Sequence, residues 1–293
     1  MSNVAVVTDT THYLPKGMLG SMGVREVSLY VNEGDRHERE VDMPDFDDYY
    51  ERLRTSAELP TTSQPSIGDF LAVYEPLVRD GRDIVSIHIA GGISGTVESA
   101  RQAAAEIAQQ GGRVAVLDSH SAAGGLGAIV LAAAAAARSG APVDDIVARA
   151  EAAREAMKMW FAVDTLEYLR RGGRIGTAQA WLGGALKIKP ILTLAGEITP
   201  VERVRTSSRA FERMIDYLKA RQADGATTWM VQHIQARDQA ERIVERGREL
   251  FGTEPLFVSE IGPVIGTHVG PGLLGVAGIP PALLAAKDLV TAG

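Results

Sequence analysis

The chain contains no cysteine. Disulfides, thiolate zinc sites and a cysteine nucleophile are therefore excluded, and the absence fits a reducing compartment. Positive charge is also short: 30 Lys and Arg against 37 Asp and Glu leave a net charge of −7. A nucleic-acid partner is not expected from such a balance. Long apolar runs are missing too. The longest, Ala128 to Ala137, is alanine-rich, ends at Arg138, and is too short and too weak to cross a bilayer. Met1 to Asp9 lacks the basic start and apolar core of a signal peptide, so the expected location is cytoplasmic, with no integral membrane segment. Nucleotide loops are incomplete: Gly124-Gly125-Leu126-Gly127 lacks the third glycine of G-x-G-x-x-G, and no P-loop occurs. Of His12, His37, His88, His120, His233 and His268, only His37 has a carboxylate four residues away, Glu33, and no two histidines share that spacing, so neither a metal nor a cofactor is expected.

What remains is an ordinary globular composition, 45% hydrophobic and 23% charged over 293 residues, enough for two domains or one large one. Short runs rich in valine and isoleucine alternate with longer amphipathic segments. Strands are expected at Val4–Thr8, Val24–Val31, Ile84–Ile89, Val114–Asp118, Trp160–Val163, Pro190–Leu194, Ile198–Val204, Trp229–Ile234 and Leu256–Ile261. Helices are expected at Phe46–Ser56, Gly68–Arg79, Thr96–Gln109, Gly124–Arg138, Val143–Met157, Thr165–Arg171, Ser208–Arg221 and Arg237–Phe251. The alternation argues an α/β fold of two domains, an N-terminal, mainly parallel, doubly wound sheet at 1–158 and a C-terminal mixed-sheet α/β domain at 159–293, with a last helix returning to the first. The mixed sheet follows from a hairpin at Ala195-Gly196-Glu197.

Four segments are rich in glycine, in hydroxyl residues or in both: Thr61 to Ser66, Gly91 to Thr96, Leu169 to Gly176 and Gly262 to Gly272. Such clusters build backbone-and-hydroxyl cradles for an anionic head group, and no complete catalytic set accompanies them. Ser94 has three readings. It lacks the G-x-S-x-G spacing of a nucleophile elbow, it can cap the helix beginning near Thr96, or it can donate to an anion at that helix start. The last suits the adjacent glycines best. Thr62 and Ser63 precede Pro65 and a helix, where capping is the simpler role. Arg170, Arg171 and Arg174 form the one dense basic patch, either a helix C-terminus closed by glycine or a surface for an anion or acidic partner.

Together these segments resemble the DegV family over the whole length. The resemblance is carried by Val7-Thr8-Asp9-Thr10, Thr62-Ser63-Gln64-Pro65-Ser66, Ile93-Ser94-Gly95-Thr96-Val97-Glu98-Ser99-Ala100, Val116-Leu117-Asp118-Ser119, Leu166 to Ile175, Lys187 to Leu192, Val204-Arg205-Thr206 and the glycine-rich stretch around His268. It implies two α/β domains with an apolar slot between them for one long-chain fatty acid, which is bound as ligand and not as cofactor. It implies that Thr62, Ser94 and His268, with Gly92, Ile93 and Ser63 near by, hold the carboxylate. It also implies a non-catalytic subunit that presents the acid to a separate fatty acid kinase catalytic subunit, for conversion to an acyl-phosphate that can feed phospholipid synthesis; Arg170, Arg171, Arg174 and Arg205 would face that partner or the phosphate. The family often has a polar residue where this chain has Ala90 and Gly91. The alternatives are a stand-alone acyl hydrolase or acyltransferase using Ser94 and His268, and a lipid-responsive regulator.

Overall fold

The computed structural model describes residues 3–43, 45–56, 58–182 and 188–285. Lys187, part of one family-like segment, lies outside them. The chain divides into two units, the first built from residues 1–29, 64–157 and 280–293, the second from 30–63 and 158–279. A single cut after residue 158 does not describe this division. The segment Tyr30–Ser63 leaves the first unit and supplies the second with a three-stranded antiparallel sheet.

The first unit is a four-stranded parallel sheet in the order Arg25–Val27, Val4–Asp9, Asp83–His88, Val114–Asp118. Every residue of Val4–Asp9 is buried, as a central strand covered on both faces requires. Ala5, Val7 and Ile84 point to one face, where they meet Phe70, Tyr74 and Leu77 of the helix Ile67–Arg79 and Ala100, Ala103 and Ile107 of Thr96–Gln109. Ser66 starts Ile67–Arg79 with a reciprocal capping box to Asp69. Ala123–Arg138, alanine-rich and almost wholly buried, packs against Val143–Ala156. The described chain end returns to this unit in the turn Pro281–Leu283, where Arg149 donates to the Ala282 and Ala285 carbonyls.

In the second unit a six-stranded mixed sheet runs Glu197–Val204, Lys189–Ala195, Lys158–Ala162, Leu274–Ile279, Thr228–His233, Val258–Glu260. All its pairings are antiparallel except that between Thr228–His233 and Val258–Glu260. The expected hairpin turns at Gly196, whose φ of 83° needs no Cβ. Phe211, Met214 and Leu218 of the helix Ser207–Ala223 and Ile243 and Val244 of Arg237–Phe251 close over Trp229, Val231 and Val276.

Three expectations change. Val24–Val31 is two strands, Arg25–Val27 and Tyr30–Glu33, because the chain passes from one unit to the other between them. Thr61–Ser63 is a strand, paired to Tyr30–Glu33 with Thr62 opposite Val31. The glycine-rich stretch around His268 contains a helix, Pro263–Val269, with proline in its first turn where no amide hydrogen is needed.

Candidate functional site

The second unit brings two of the expected carboxylate residues together. Thr62 Oγ1 and His268 Nε2 lie 2.6 Å apart, although 206 residues separate them in sequence. Pairing to Tyr30–Glu33 fixes Thr62. His268 is set by its helix, which is held at several points. Glu40, buried, accepts from the Val264 amide at 2.8 Å. The Tyr50 hydroxyl donates to the Ile261 carbonyl at 2.6 Å, and the Tyr49 hydroxyl meets Thr267 Oγ1 at 2.5 Å. Burial pushes both phenols above their ordinary pKa, so they stay protonated and able to donate.

His268 Nδ1 is buried and has no hydrogen-bond partner among the described residues. Desolvation, helped by the nearby Arg174 charge, lowers the imidazole to about 4. At neutral pH the ring is uncharged, and a Cβ on Gly172 would overlap Nδ1, so only glycine fits beneath it. A neutral imidazole sharing a hydroxyl, with its second nitrogen unmatched, is poised to gain a proton or a polar partner. An arriving carboxylate would supply both the hydrogen-bond acceptor and the charge that favours protonation.

Ser63 is paired to Tyr30 and receives Asn32 Nδ2 at 3.4 Å. Neither Thr62 nor Ser63 caps the following helix; Ser66 does. In the first unit Ser94 Oγ lies 2.8 Å from Thr96 Oγ1 and accepts from the Thr96 amide at 3.3 Å. These are its hydrogen bonds through the side chain among the described residues. The turn before it, Gly91–Ile93, is pinned by the Gly91 amide donating to Asp118 Oδ2 at 3.1 Å, while a Cβ on Gly95 would overlap the Gln64 amide. Gly92 lies exposed at the tip.

Arg170 and Arg171 both pair with Glu167 one turn back on the helix Glu167–Arg171, which lowers the Glu167 pKa. Arg174 donates to the Gly172 carbonyl at 2.6 Å. These bonds fit the helix-end reading of the arginine patch and leave the side chains exposed. Arg205 is exposed just before Thr206, which caps Ser207–Ala223.

One polar constellation escaped the sequence reading. Asp9 Oδ2 lies 3.0 Å from His88 Nδ1, His88 Nε2 lies 2.6 Å from Ser86 Oγ, and the Tyr74 hydroxyl donates to Ser86 at 2.7 Å. The order is that of a catalytic triad, but all four residues are fully buried and cannot meet a substrate. Burial alone would raise the Asp9 pKa; hydrogen bonds from His88, Thr11 and the Ile89 amide outweigh it and hold the carboxyl ionised. The available signal was Ser86 and His88 two apart on one face of an otherwise apolar strand.

The family model described as "uncharacterised protein, DegV family" matches residues 3–280. A DegV domain-containing protein of Streptomyces coelicolor is 41% identical over 277 residues, covering 94% of this chain and 97% of that one. Among solved structures, a fatty-acid-binding DegV family protein of Thermus thermophilus is similar at a TM-score of 0.85 and 36% identity, over 96% of this chain and all of the other. DegV of Bacillus subtilis, a fatty acid binding protein, is similar at a TM-score of 0.84 and 34% identity, over 94% and 99%. The same α/β architecture and matching length leave one conclusion: the chain belongs to the DegV family.

Proposed function

We propose that this protein binds a long-chain fatty acid, with the carboxylate held by Thr62 and His268 and by Ser94 with its neighbouring turn, Gly92 and Ile93, and Ser63 close by. The observation that carries this reading is the Thr62–His268 pair with its unmatched Nδ1, in a chain whose relatives from two organisms are fatty-acid-binding proteins. A carboxylate that leaves water must be hydrogen-bonded or neutralised, and a hydroxyl beside an imidazole that can take up a proton does both. Each CH₂ of the acyl chain contributes about 0.8 kcal/mol when transferred to an apolar slot, so most of the affinity comes from the tail and the head group fixes its direction.

In this reading the protein does no chemistry alone. It presents the acid to a fatty acid kinase catalytic subunit, which forms the acyl-phosphate. Arg170, Arg171, Arg174 and Arg205, all exposed, are the candidates for the partner's acidic surface or the transferred phosphate.

Mass spectrometry of lipid extracted from the purified protein tests the first claim. A near-stoichiometric long-chain acid is expected; polar metabolites alone, or no ligand after expression in a lipid-replete host, would overturn it. Arg171→Glu tests the second. It should leave lipid binding intact and cut kinase-dependent phosphorylation, with a defect that depends on salt. Loss of lipid would move Arg171 to the head group, and loss of neither would leave it a helix cap.

A further inference from the structure

The C-terminal end of the strand Thr228–His233 opens on a polar cleft of about 490 Å³ that shares no residue with the Thr62–His268 site. Strand ends that face helix starts are where ligands bind in α/β sheets, and the volume suits a small molecule. His233 lines the cleft and is only 5% exposed, yet its Nδ1 has no hydrogen-bond partner among the described residues. The nearest acid, Glu260 Oε1, stands 3.9 Å away, beyond hydrogen-bond reach. Burial keeps the imidazole below its ordinary pKa, so at neutral pH Nδ1 can act as an acceptor. His233 Nδ1 therefore lacks a donor, beside a carboxylate whose charge favours a cation.

The acids are set in place by Gln235. Its Nε2 donates to Asp47 Oδ1 at 2.7 Å and to Glu260 Oε1 at 2.9 Å, and its amide donates to Glu260 Oε1 at 3.0 Å. Gln235 adopts φ 51°, a left-handed backbone that costs a non-glycine residue energy and persists only where surrounding bonds impose it. The second oxygens, Asp47 Oδ2 and Glu260 Oε2, accept no hydrogen bond among the described residues. Beside this acidic pole begins the helix Arg237–Phe251, whose N-cap, Ala236, has no side-chain cap. The amides of Arg237, Asp238 and Gln239 therefore remain free, and with the Arg237 guanidinium they form an anion-favouring pole.

We propose that this cleft binds a small zwitterion of the free α-amino-acid class, its ammonium on Glu260 and His233 and its carboxylate at the start of the helix Arg237–Phe251. A simple anion such as phosphate would meet Asp47, Asp238 and Glu260. A simple amine would leave the free amides and Arg237 unused. A molecule carrying both charges a few bonds apart matches both poles.

The test uses the full-length protein, with glycine, L-serine, L-glutamate and L-arginine as separate probes and with acetate and ethylamine as single-charge controls. Calorimetry measures affinity, and amide NMR follows Arg237 to Gln239. At least one amino acid should saturate at millimolar concentration or below and shift those amides. Glu260→Gln should weaken it by about tenfold or more, the loss of one charge-assisted bond, and Arg237→Gln should do so independently if the first variant is misfolded. The proposal is overturned if all four probes fail, if acetate or ethylamine binds as tightly, or if both variants bind like the parent.

Discussion

Each unit of the molecule hides an imidazole beside a hydroxyl, and the two are built to opposite ends. In the first unit His88 is wholly buried and both ring nitrogens are engaged, by Asp9 and by Ser86. In the second, His268 has Thr62 on one nitrogen and nothing among the described residues on the other. A completed network locks two strands and the helix Ile67–Arg79 into one arrangement. An incomplete one keeps a desolvated polar atom that costs free energy until a partner arrives. Hydrogen-bond order alone would rank the pair in reverse, because Asp9, His88 and Ser86 are linked as in a triad. Burial decides the matter: the complete set is structural, and the incomplete one is the candidate site.

The sharpest way to break the comparison is His88→Ala. It strands the Asp9 carboxylate and the Ser86 and Tyr74 hydroxyls in the core, and removing one partner of such a buried set costs about 3–5 kcal/mol. Hydrogen exchange of the Val4–Asp9 amides should accelerate markedly. All three tryptophans, Trp160, Trp181 and Trp229, belong to the second unit, so their fluorescence reports separately on that half. Unchanged protection of Val4–Asp9 would show that the network does not hold the first unit.

The next effect is on pH dependence. His268 falls from an ordinary 6.5 to about 4 in the folded protein. Between those values the unfolded chain binds the extra proton, so stability is lowest on the acid side and rises as pH increases from about 4 to 6.5. The ceiling on this contribution is roughly 3 kcal/mol, from about 1.36 kcal/mol per unit. Denaturant unfolding followed by tryptophan fluorescence, parent against His268→Gln, isolates it: the difference should be constant above pH 6.5, and the parent should lose stability relative to the variant as pH falls toward about 4. Saturation with fatty acid should reduce that slope, because a bound carboxylate favours the protonated ring. A parent and variant that track each other across the range would mean that His268 is solvated and not a neutral, waiting group.

Thr62→Ala should weaken fatty-acid binding by about 1.5–3 kcal/mol, roughly tenfold to a hundredfold, as expected for a hydrogen bond to a charged group. Titration with a fluorescent fatty acid measures it. The fold should lose little, since Thr62 sits partly buried on a short strand and its backbone pairing with Val31 is unaffected. Equal losses of stability and binding would instead make Thr62 a structural support for the helix Pro263–Val269.

Much of this architecture was legible because periodicity survives tertiary context in long elements. The helices Thr96–Gln109 and Arg237–Phe251 and the strand Val114–Asp118 fall where the pattern puts them. The strand Leu274–Ile279 was not legible. Gly275 and Gly278 dilute its pattern, yet it lies inside the mixed sheet between Lys158–Ala162 and Thr228–His233, and a Cβ on Gly278 would crowd the Ala226 carbonyl. The helix under His268 was hidden for a similar reason: its glycines look like loop, but Gly266 is required where a Cβ would overlap the Tyr50 ring. Thr62 and His268 could be named singly, whereas their contact depends on the segment Tyr30–Ser63 joining the second unit, which no local pattern announces. The Asp9–His88 bond has the same origin. Val7 pairs with Ser86 across parallel strands, which sets Asp9 level with His88, and that register exists only once the sheet is formed.

Ser94→Ala probes the smallest difference. Thr62 shares its hydroxyl with an imidazole that carboxylate binding would recharge, whereas Ser94 spends its oxygen on Thr96, as acceptor from the amide and partner to the hydroxyl. A serine hydroxyl has one hydrogen and two lone pairs, so Ser94 can keep the Thr96 amide while turning its hydrogen to a carboxylate. It then gives up only the contact with Thr96 Oγ1, and the net gain from the bound acid is reduced by that exchange. The expected loss of affinity is about 0.5–1.5 kcal/mol, the range of an ordinary net hydrogen bond and below that of Thr62→Ala. Helix Thr96–Gln109 should keep its stability, because Gly95 and not Ser94 is its N-cap. An affinity loss larger than that of Thr62→Ala would make Ser94 the principal carboxylate donor. No loss in affinity together with a lower melting point would confine Ser94 to the turn that opens its helix.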